Sequence, residues 1–219
     1  MIDFARARTL MVDNQLRTSA ITDRRILAAM GAVPRETFVP EARRSLAYID
    51  EAHVLPGPSG RALPPPAPFA RLVQLAALEA DDIVLDVGAG TGYSSAVLAQ
   101  LAGKVVAVES DPGLAKLARE NLDALGVANA TVVEAALDVG APKQGPYDAI
   151  ILDGAVAEVP EKLLKQLKQG GRLVALVRKA GTPVAHVFVR SGDEFAPRAE
   201  FNTTLPPLTH EKPAESFVF

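Results

Sequence analysis

Residues 83–93, Ile-Val-Leu-Asp-Val-Gly-Ala-Gly-Thr-Gly-Tyr, restrict the possible folds of this chain more than any other stretch. A short apolar strand runs straight into a cluster of glycines, and residues 94–101 then carry a helical pattern. Glycine at a strand-to-helix turn leaves positive φ free and removes the Cβ, so backbone amides can approach a ligand closely. A dinucleotide fingerprint would be G-x-G-x-x-G. Counted from Gly88, that pattern requires glycine at position 93, and Tyr93 stands there. The observed spacing is Gly88, Gly90 and Gly92, with Asp86 two residues before the first glycine. A dehydrogenase reading falls on that spacing.

A second apolar strand, residues 104–109, ends in Glu109. A carboxylate at that point is placed to accept hydrogen bonds from both hydroxyls of a ribose. Each feature alone is common, because a glycine turn needs no ligand and an acid at a strand end often caps a helix. Their order and separation together point to a bound ligand more strongly than either does alone.

The same alternation continues along the chain. Residues 69–78 read as a helix, 111–125 as a helix opened by Asp111-Pro112, and 131–134 and 149–153 as strands. Residues 161–167 read as a helix closed by Gly170-Gly171, followed by a strand over 172–177. Strands apolar on both faces and alternating with helices indicate an α/β fold with a mostly parallel sheet covered on both sides. Residues 185–190 and 198–201 flank Ser-Gly-Asp-Glu and read as a terminal antiparallel hairpin. Before this core, residues 4–16 and 22–31 carry helical spacing. Residues 55–68 hold six prolines and read as a stiff, irregular linker or substrate-facing loop. The division expected is a helical cap with its proline loop over residues 1–68 and a ligand-binding core over 69–219.

Charge and composition exclude several classes. The net charge of −3 argues against nucleic acid as a partner, since backbone binding needs a basic surface. The chain has no cysteine, so disulfides and thiolate metal sites are impossible. His53, His186 and His210 lack metal-ligand spacing, and no metal is expected. The first sixteen residues lack the apolar core of a signal peptide, and no run approaches the roughly 20 apolar residues that span a bilayer. A cytoplasmic protein without a membrane partner is the expectation.

The glycine spacing with its preceding acid resembles that of class I methyltransferases, which are Rossmann-like and bind S-adenosylmethionine. More of the chain resembles one family within that class, the protein-L-isoaspartate O-methyltransferases. Met11-Val-Asp-Asn-Gln-Leu, the helix of residues 23–30, Val33-Pro-Arg-Glu-Thr-Phe-Val-Pro and Ala47-Tyr48-Ile-Asp50 resemble the family's N-terminal cap. Residues 84–93, Pro146-Tyr-Asp-Ala-Ile-Ile, Glu158-Val-Pro and Gly170-Gly-Arg-Leu-Val resemble its core. The resemblance implies a seven-stranded, mostly parallel sheet with helices on both faces, and a monomer. It also implies methyl transfer from S-adenosylmethionine to the carboxylate of an isoaspartyl residue in damaged protein. The cofactor-binding residues it implies are Asp86, Val87, Gly88, Ala89, Gly90, Tyr93, Glu109, Ser110, Ala136 and Leu137.

Two departures from the family pattern bear on function. The family's loop Gly-Gln-Thr-Ile-Ser-Gln-Pro aligns with Gly60-Arg-Ala-Leu-Pro-Pro-Pro66, so its serine is Pro64 and its threonine Ala62. The family's Gly-Asp after the third strand aligns with Ala135-Ala136, with Asp138 two residues on as a substitute reader of adenine. Ser59 is the nearest loop hydroxyl that could replace the lost serine. Candidate catalytic residues are Asp153, at the end of a strand, and Arg61, whose guanidinium matches a carboxylate but which would equally suit a solvated surface. Beside isoaspartyl transfer, two readings stay open: a different acceptor, another carboxylate or a small molecule, or a non-catalytic sensor that binds the cofactor.

Overall fold

The structure is a computed structural model, and it describes residues 2–178 and 181–208. Among its strands, Ile83–Val87 (β3), Lys104–Glu109 (β4), Ala130–Glu134 (β5), Tyr147–Val156 (β6), Leu167–Val177 (β7), Val184–Ser191 (β8) and Glu194–Asn202 (β9) form a seven-stranded sheet. Its order is β5-β4-β3-β6-β7-β8-β9. The first five strands in that order pair in parallel, and β8 and β9 are antiparallel. Chain order runs outward from β3 through β4 to β5, then returns to β6 on β3's other side. That reversal opens a crevice at the carboxyl ends of β3 and β6, where ligands of open α/β sheets bind. The expected terminal hairpin is β8–β9, joined by Gly192-Asp193 with Gly192 at φ 63°.

The central strands are buried on both faces, as their uninterrupted apolar runs require. On one face, Val84, Val105, Ile151 and Val174 share a cluster with Pro66–Ala76 (α3), Tyr93–Leu98 (α4) and Pro112–Ala124 (α5). The same cluster takes in Met11 and Leu16 from the first helical stretch, Met30 and Phe38, so the cap and this face form one apolar core. On the other face, Leu85, Val87, Val106 and Ile150 pack against Leu137, Leu163 and Leu208. The helix there is short, Glu161–Leu164 (α6).

Asp111 caps α5 as expected, its Oδ1 accepting from the amides of Gly113 (2.8 Å) and Leu114 (3.2 Å), with Pro112 in the first turn. In the cap, the first stretch is Phe4–Met11 (α1) followed by a π-turn over Val12–Leu16, and the second helix is Arg24–Ala32 (α2), capped by Asp23. Several boundaries differ from the sequence reading. The helix of residues 94–101 is Tyr93–Leu98, and the strands of 149–153 and 198–201 extend to Tyr147–Val156 and Glu194–Asn202. Two further differences have a visible cause. Helix α3 begins at Pro66 and ends at Ala76, because proline at the first helical position loses no hydrogen bond that the helix could make. The expected helix of residues 161–167 stops at Leu164, and Gly170-Gly171 lies within β7 instead of closing a helix. Tyr147 N donates to Gln166 O (2.9 Å), which pulls residue 167 into the sheet. A Cβ on Gly171 would lie 2.9 Å from Lys168 O and 3.0 Å from Tyr147 O, so glycine serves this strand's close approach. The proline-rich segment is partly regular: His53–Val54 (β1) pairs antiparallel with Ala62–Leu63 (β2), which makes residues 55–61 a closed loop.

Candidate functional site

The glycine loop, residues 88–92, crosses the carboxyl ends of the central strands. Gly88 N and Ala89 N both donate to Val108 O, at 2.8 and 3.2 Å, which ties the loop to the end of β4. Gly88, Gly90 and Gly92 have φ of 87°, 57° and 96°, the left-handed region that an L side chain rarely enters. Backbone geometry therefore favours glycine at these three positions.

Glu109 closes β4 and is fully buried. Its Oε2 accepts from Gly90 N at 2.8 Å, and its Oε1 accepts from Ser110 N at 2.8 Å and Asp111 N at 3.0 Å. The carboxylate thus braces the glycine loop against the start of α5. Asp86, in β3, is also fully buried. Its Oδ2 accepts from the hydroxyls of Ser94 (2.7 Å) and Ser95 (2.6 Å), while Oδ1 has no hydrogen-bond partner among the described residues. Burial pushes the Asp86 carboxyl up to about 6, against the hydroxyl bonds that favour its charged form. Asp153, on β6, is buried with Oδ1 likewise unpartnered, and burial together with the neighbouring Asp86 charge holds its carboxyl well above the usual range.

One cation enters this acidic cluster. Arg61 is only 3% exposed, so it is no solvated surface arginine. Its Nη1 donates to Leu208 O at 2.6 Å, its Nη2 donates to Gly88 O, and its Nε lies 3.5 Å from Glu109 Oε2. Three buried carboxylates around one guanidinium leave the site an acceptor of positive charge. A group with a cationic centre, an ammonium or a sulfonium, fits that surplus, and the unpartnered Asp86 and Asp153 oxygens offer it acceptors.

The remaining sequence candidates divide. Val87, Ala89 and Ser110 belong to the loop and its brace by backbone. Tyr93 points elsewhere: its ring stands edge-on to Phe38 (5.6 Å) and near Phe69 (5.9 Å), under the Arg35 guanidinium at 4.8 Å. Leu137 is buried beneath the sheet, and Ala136 is exposed. Asp138 faces outward in an ion pair with Lys162 (3.1 Å), so it does not replace the missing adenine-reading acid in this arrangement. Ser59 is half-buried, its Oγ without a partner among the described residues. His186 lies on β8 as expected, its Nδ1 2.9 Å from Val184 O, and His210 lies outside the described residues. Among the described residues no group of three or more His, Cys, Asp or Glu is placed to hold a metal ion. No helix there is long and apolar enough to cross a membrane.

Sequence reasoning missed Ser94, Ser95, Leu55 and Leu208. Paired hydroxyls in the first turn of the helix after the loop were a readable signal for the serines. Nothing local to residues 205–208 indicates that Leu208 N donates to Ala155 O (2.8 Å) and Ala155 N to Pro206 O (2.8 Å), laying a strap over the end of β6.

Near the site, His53 on β1 is buried with both ring nitrogens unpartnered among the described residues. Burial first, then the positive charges of Arg35 and Arg43, push its pKa down to about 4. The folded state therefore resists a proton that the unfolded chain accepts below about 6.5. His53 leaves stability intact above that pH and lowers it as pH falls toward 4. Asp86 acts oppositely in the same range, so the His53→Leu variant is the control that isolates the effect. Its urea midpoint, compared with that of the parent, should gain between pH 7.5 and pH 5; parallel curves would refute the assignment.

The chain is similar to proteins of known family. The family model for Protein-L-isoaspartate(D-aspartate) O-methyltransferase (PCMT) matches residues 6–212. A Protein-L-isoaspartate O-methyltransferase 2 from Anaeromyxobacter sp. (strain Fw109-5) is 45% identical over 167 residues, 76% of this chain and 68% of the relative. A solved protein-L-isoaspartate O-methyltransferase superposes with a TM-score of 0.79 at 25% identity. That match covers 91% of this chain and 65% of the other, so this chain spans under two thirds of it. A Plasmodium falciparum chain assigned to the same enzyme group and solved with S-adenosyl-L-homocysteine shares the fold, with a TM-score of 0.79 at 21% identity and coverage of 93% and 99%.

Proposed function

The chain belongs to the protein-L-isoaspartate O-methyltransferase family, and from that premise we propose that it methylates isoaspartyl carboxylates in protein from S-adenosylmethionine, acting as a monomer. The observation that carries the cofactor assignment is the buried acidic cluster of Asp86, Glu109 and Asp153 against a glycine loop whose φ values favour glycine.

S-adenosylmethionine supplies an electrophilic methyl on a sulfonium, and its transfer to a carboxylate cancels both charges without moving a proton. The protein's tasks are therefore to bind, orient and exclude water. In this reading Glu109 holds the ribose hydroxyls, and the glycine loop, without a Cβ at 88, 90 or 92, lets the ligand pass close to the backbone. Asp86, with one free oxygen, takes the ammonium. Asp153, at the carboxyl end of β6, borders the acceptor side, where its negative charge disfavours a second carboxylate unless it is protonated. Burial and the Asp86 charge raise its carboxyl above the usual range, which eases that repulsion.

A second reading has one specific observation in its favour. Pro64 stands at the family's serine, and its carbonyl accepts from Arg35 Nη2 at 2.5 Å. The position thus offers neither a hydroxyl nor an amide hydrogen, which suits a different acceptor. Transfer of labelled methyl to an isoaspartyl peptide, with the aspartyl peptide as control, separates the two. Base-labile label on the isoaspartyl peptide alone is the expected result. Cofactor binding without such label would move the assignment to another acceptor, or to a sensor.

A further inference from the structure

Three side chains stand over the glycine loop that methyl transfer does not call upon: Leu55, Arg61 and Leu208. A Cβ on Gly90 would lie 2.7 Å from Leu55 Cδ1, and one on Gly88 would collide with both the Arg61 guanidinium and the Leu208 side chain. The space that these glycines open is thus filled by the chain itself. Arg61 meets Gly88 through the carbonyl and Glu109 through the carboxylate, two of the groups assigned above to the cofactor. Its Nε makes no hydrogen bond among the described residues, so it faces Glu109 by charge alone, at 3.5 Å. The guanidinium is held in place from outside. Leu55 N donates to Arg61 O (2.9 Å) across the loop, and the Leu208 carbonyl on the strap accepts from Nη1.

We propose that Arg61 is a built-in competitor for the cofactor: its guanidinium covers Gly88 and Glu109, where the ribose end of the ligand would sit, latched by Leu208, and binding must expel it. The inference rests on the cofactor reading above. Burying a guanidinium is costly unless anions and carbonyls receive it, and here they do. Without it the acidic cluster would lack a cation. Binding therefore requires Arg61 to leave, and the apparent affinity is the intrinsic affinity scaled down to the fraction of chains in which it has left.

Calorimetric titration with S-adenosylhomocysteine of the parent, Arg61→Gln and Arg61→Lys proteins tests this. Removing the competitor should tighten binding about tenfold in Arg61→Gln. It should also lower the ligand-free melting temperature by about 5–10 °C, because the carboxylates lose their cation. Arg61→Lys keeps the charge but not the two-carbonyl grip, and should fall between. Unchanged or weaker binding in Arg61→Gln overturns the proposal, the weaker case making Arg61 a cofactor ligand. If Arg61→Gln does not fold, the parent protein decides through its arginine side-chain NMR signals, assigned with Arg61→Lys. The Arg61 Nε–H should exchange slowly in the free chain and rapidly when S-adenosylhomocysteine saturates it. Slow exchange in both states refutes expulsion. A parent protein that binds no S-adenosylhomocysteine at all strikes the cofactor reading itself, a result distinct from either.

Discussion

Replacing Glu109 with Gln should destabilise the ligand-free chain by about 3–5 kcal/mol, the range for breaking a buried charged pair from one side, and abolish measurable cofactor binding. The carboxylate accepts from the amides of Gly90, Ser110 and Asp111 and balances the charge of Arg61. A carboxamide has one acceptor oxygen, and its NH2 would point a donor at amides that are themselves donors. At least one buried N–H is then orphaned, and the loop loses its brace. Chemical denaturation of the variant measures the first effect and calorimetry the second. A variant within 1 kcal/mol of the parent would show that the loop holds its shape without Glu109, which its φ values alone do not make plausible.

The Asp86→Asn substitution should have the opposite sign on stability. The folded Asp86 carboxyl titrates at about 6, above the roughly 3.9 of an unfolded aspartate. The folded state therefore binds the proton more tightly. That preference stabilises the chain at low pH and is lost as pH rises through 6, where the charged form is buried with one oxygen unpartnered. Asparagine imitates the neutral form. At pH 8 the variant should be more stable than the parent by about 1–3 kcal/mol, and at pH 4 by little. Its affinity for the cofactor should fall about 100-fold, because the charge-assisted bonds to a cationic group disappear. Urea melts at both pH values, beside calorimetry, read the two arms. A variant that is less stable at pH 8 would mean that the Ser94 and Ser95 hydroxyls depend on the full charge. An unchanged affinity would remove Asp86 from the cofactor site. A residue that costs stability where it is ionised, and is kept for binding, is the usual trade at a functional position.

What the sequence made legible followed from short-range patterns. The strands β3 and β4 were readable because burial on both faces writes an unbroken apolar run, and the acids Asp86 and Glu109 stand where those runs end. The cap of α5 was readable because Asp-Pro acts within one turn. What remained hidden depended on partners far along the chain. The early start of β7 is imposed by Tyr147, twenty residues before Leu167. Burial of Arg61 depends on Glu109 and Leu208, 48 and 147 residues away, and a lone arginine in a loop carries no mark of either. The direction of the Tyr93 ring was set by Phe38 and Phe69, whereas its place after the glycines suggested the ligand. Asp138 looked like a substitute adenine reader by proximity in sequence, yet Lys162 offered it a partner in solvent.

The shared core of cap and sheet has a consequence for how the chain is made. Met11, Leu16, Met30 and Phe38 bury against a cluster that also contains Ile151, Val174, Leu176 and Leu205. On a ribosome the cap emerges before the sheet, yet the shared cluster is finished only when residue 205 is added. At roughly 5–20 residues per second the core that the cap joins stays incomplete for on the order of ten to forty seconds. During that interval the nascent segment is a target for holding chaperones and for misassembly with neighbouring copies. Substitutions that dull the cap's apolar face would ease synthesis while loosening the finished protein, so yield and stability should respond to them in opposite directions.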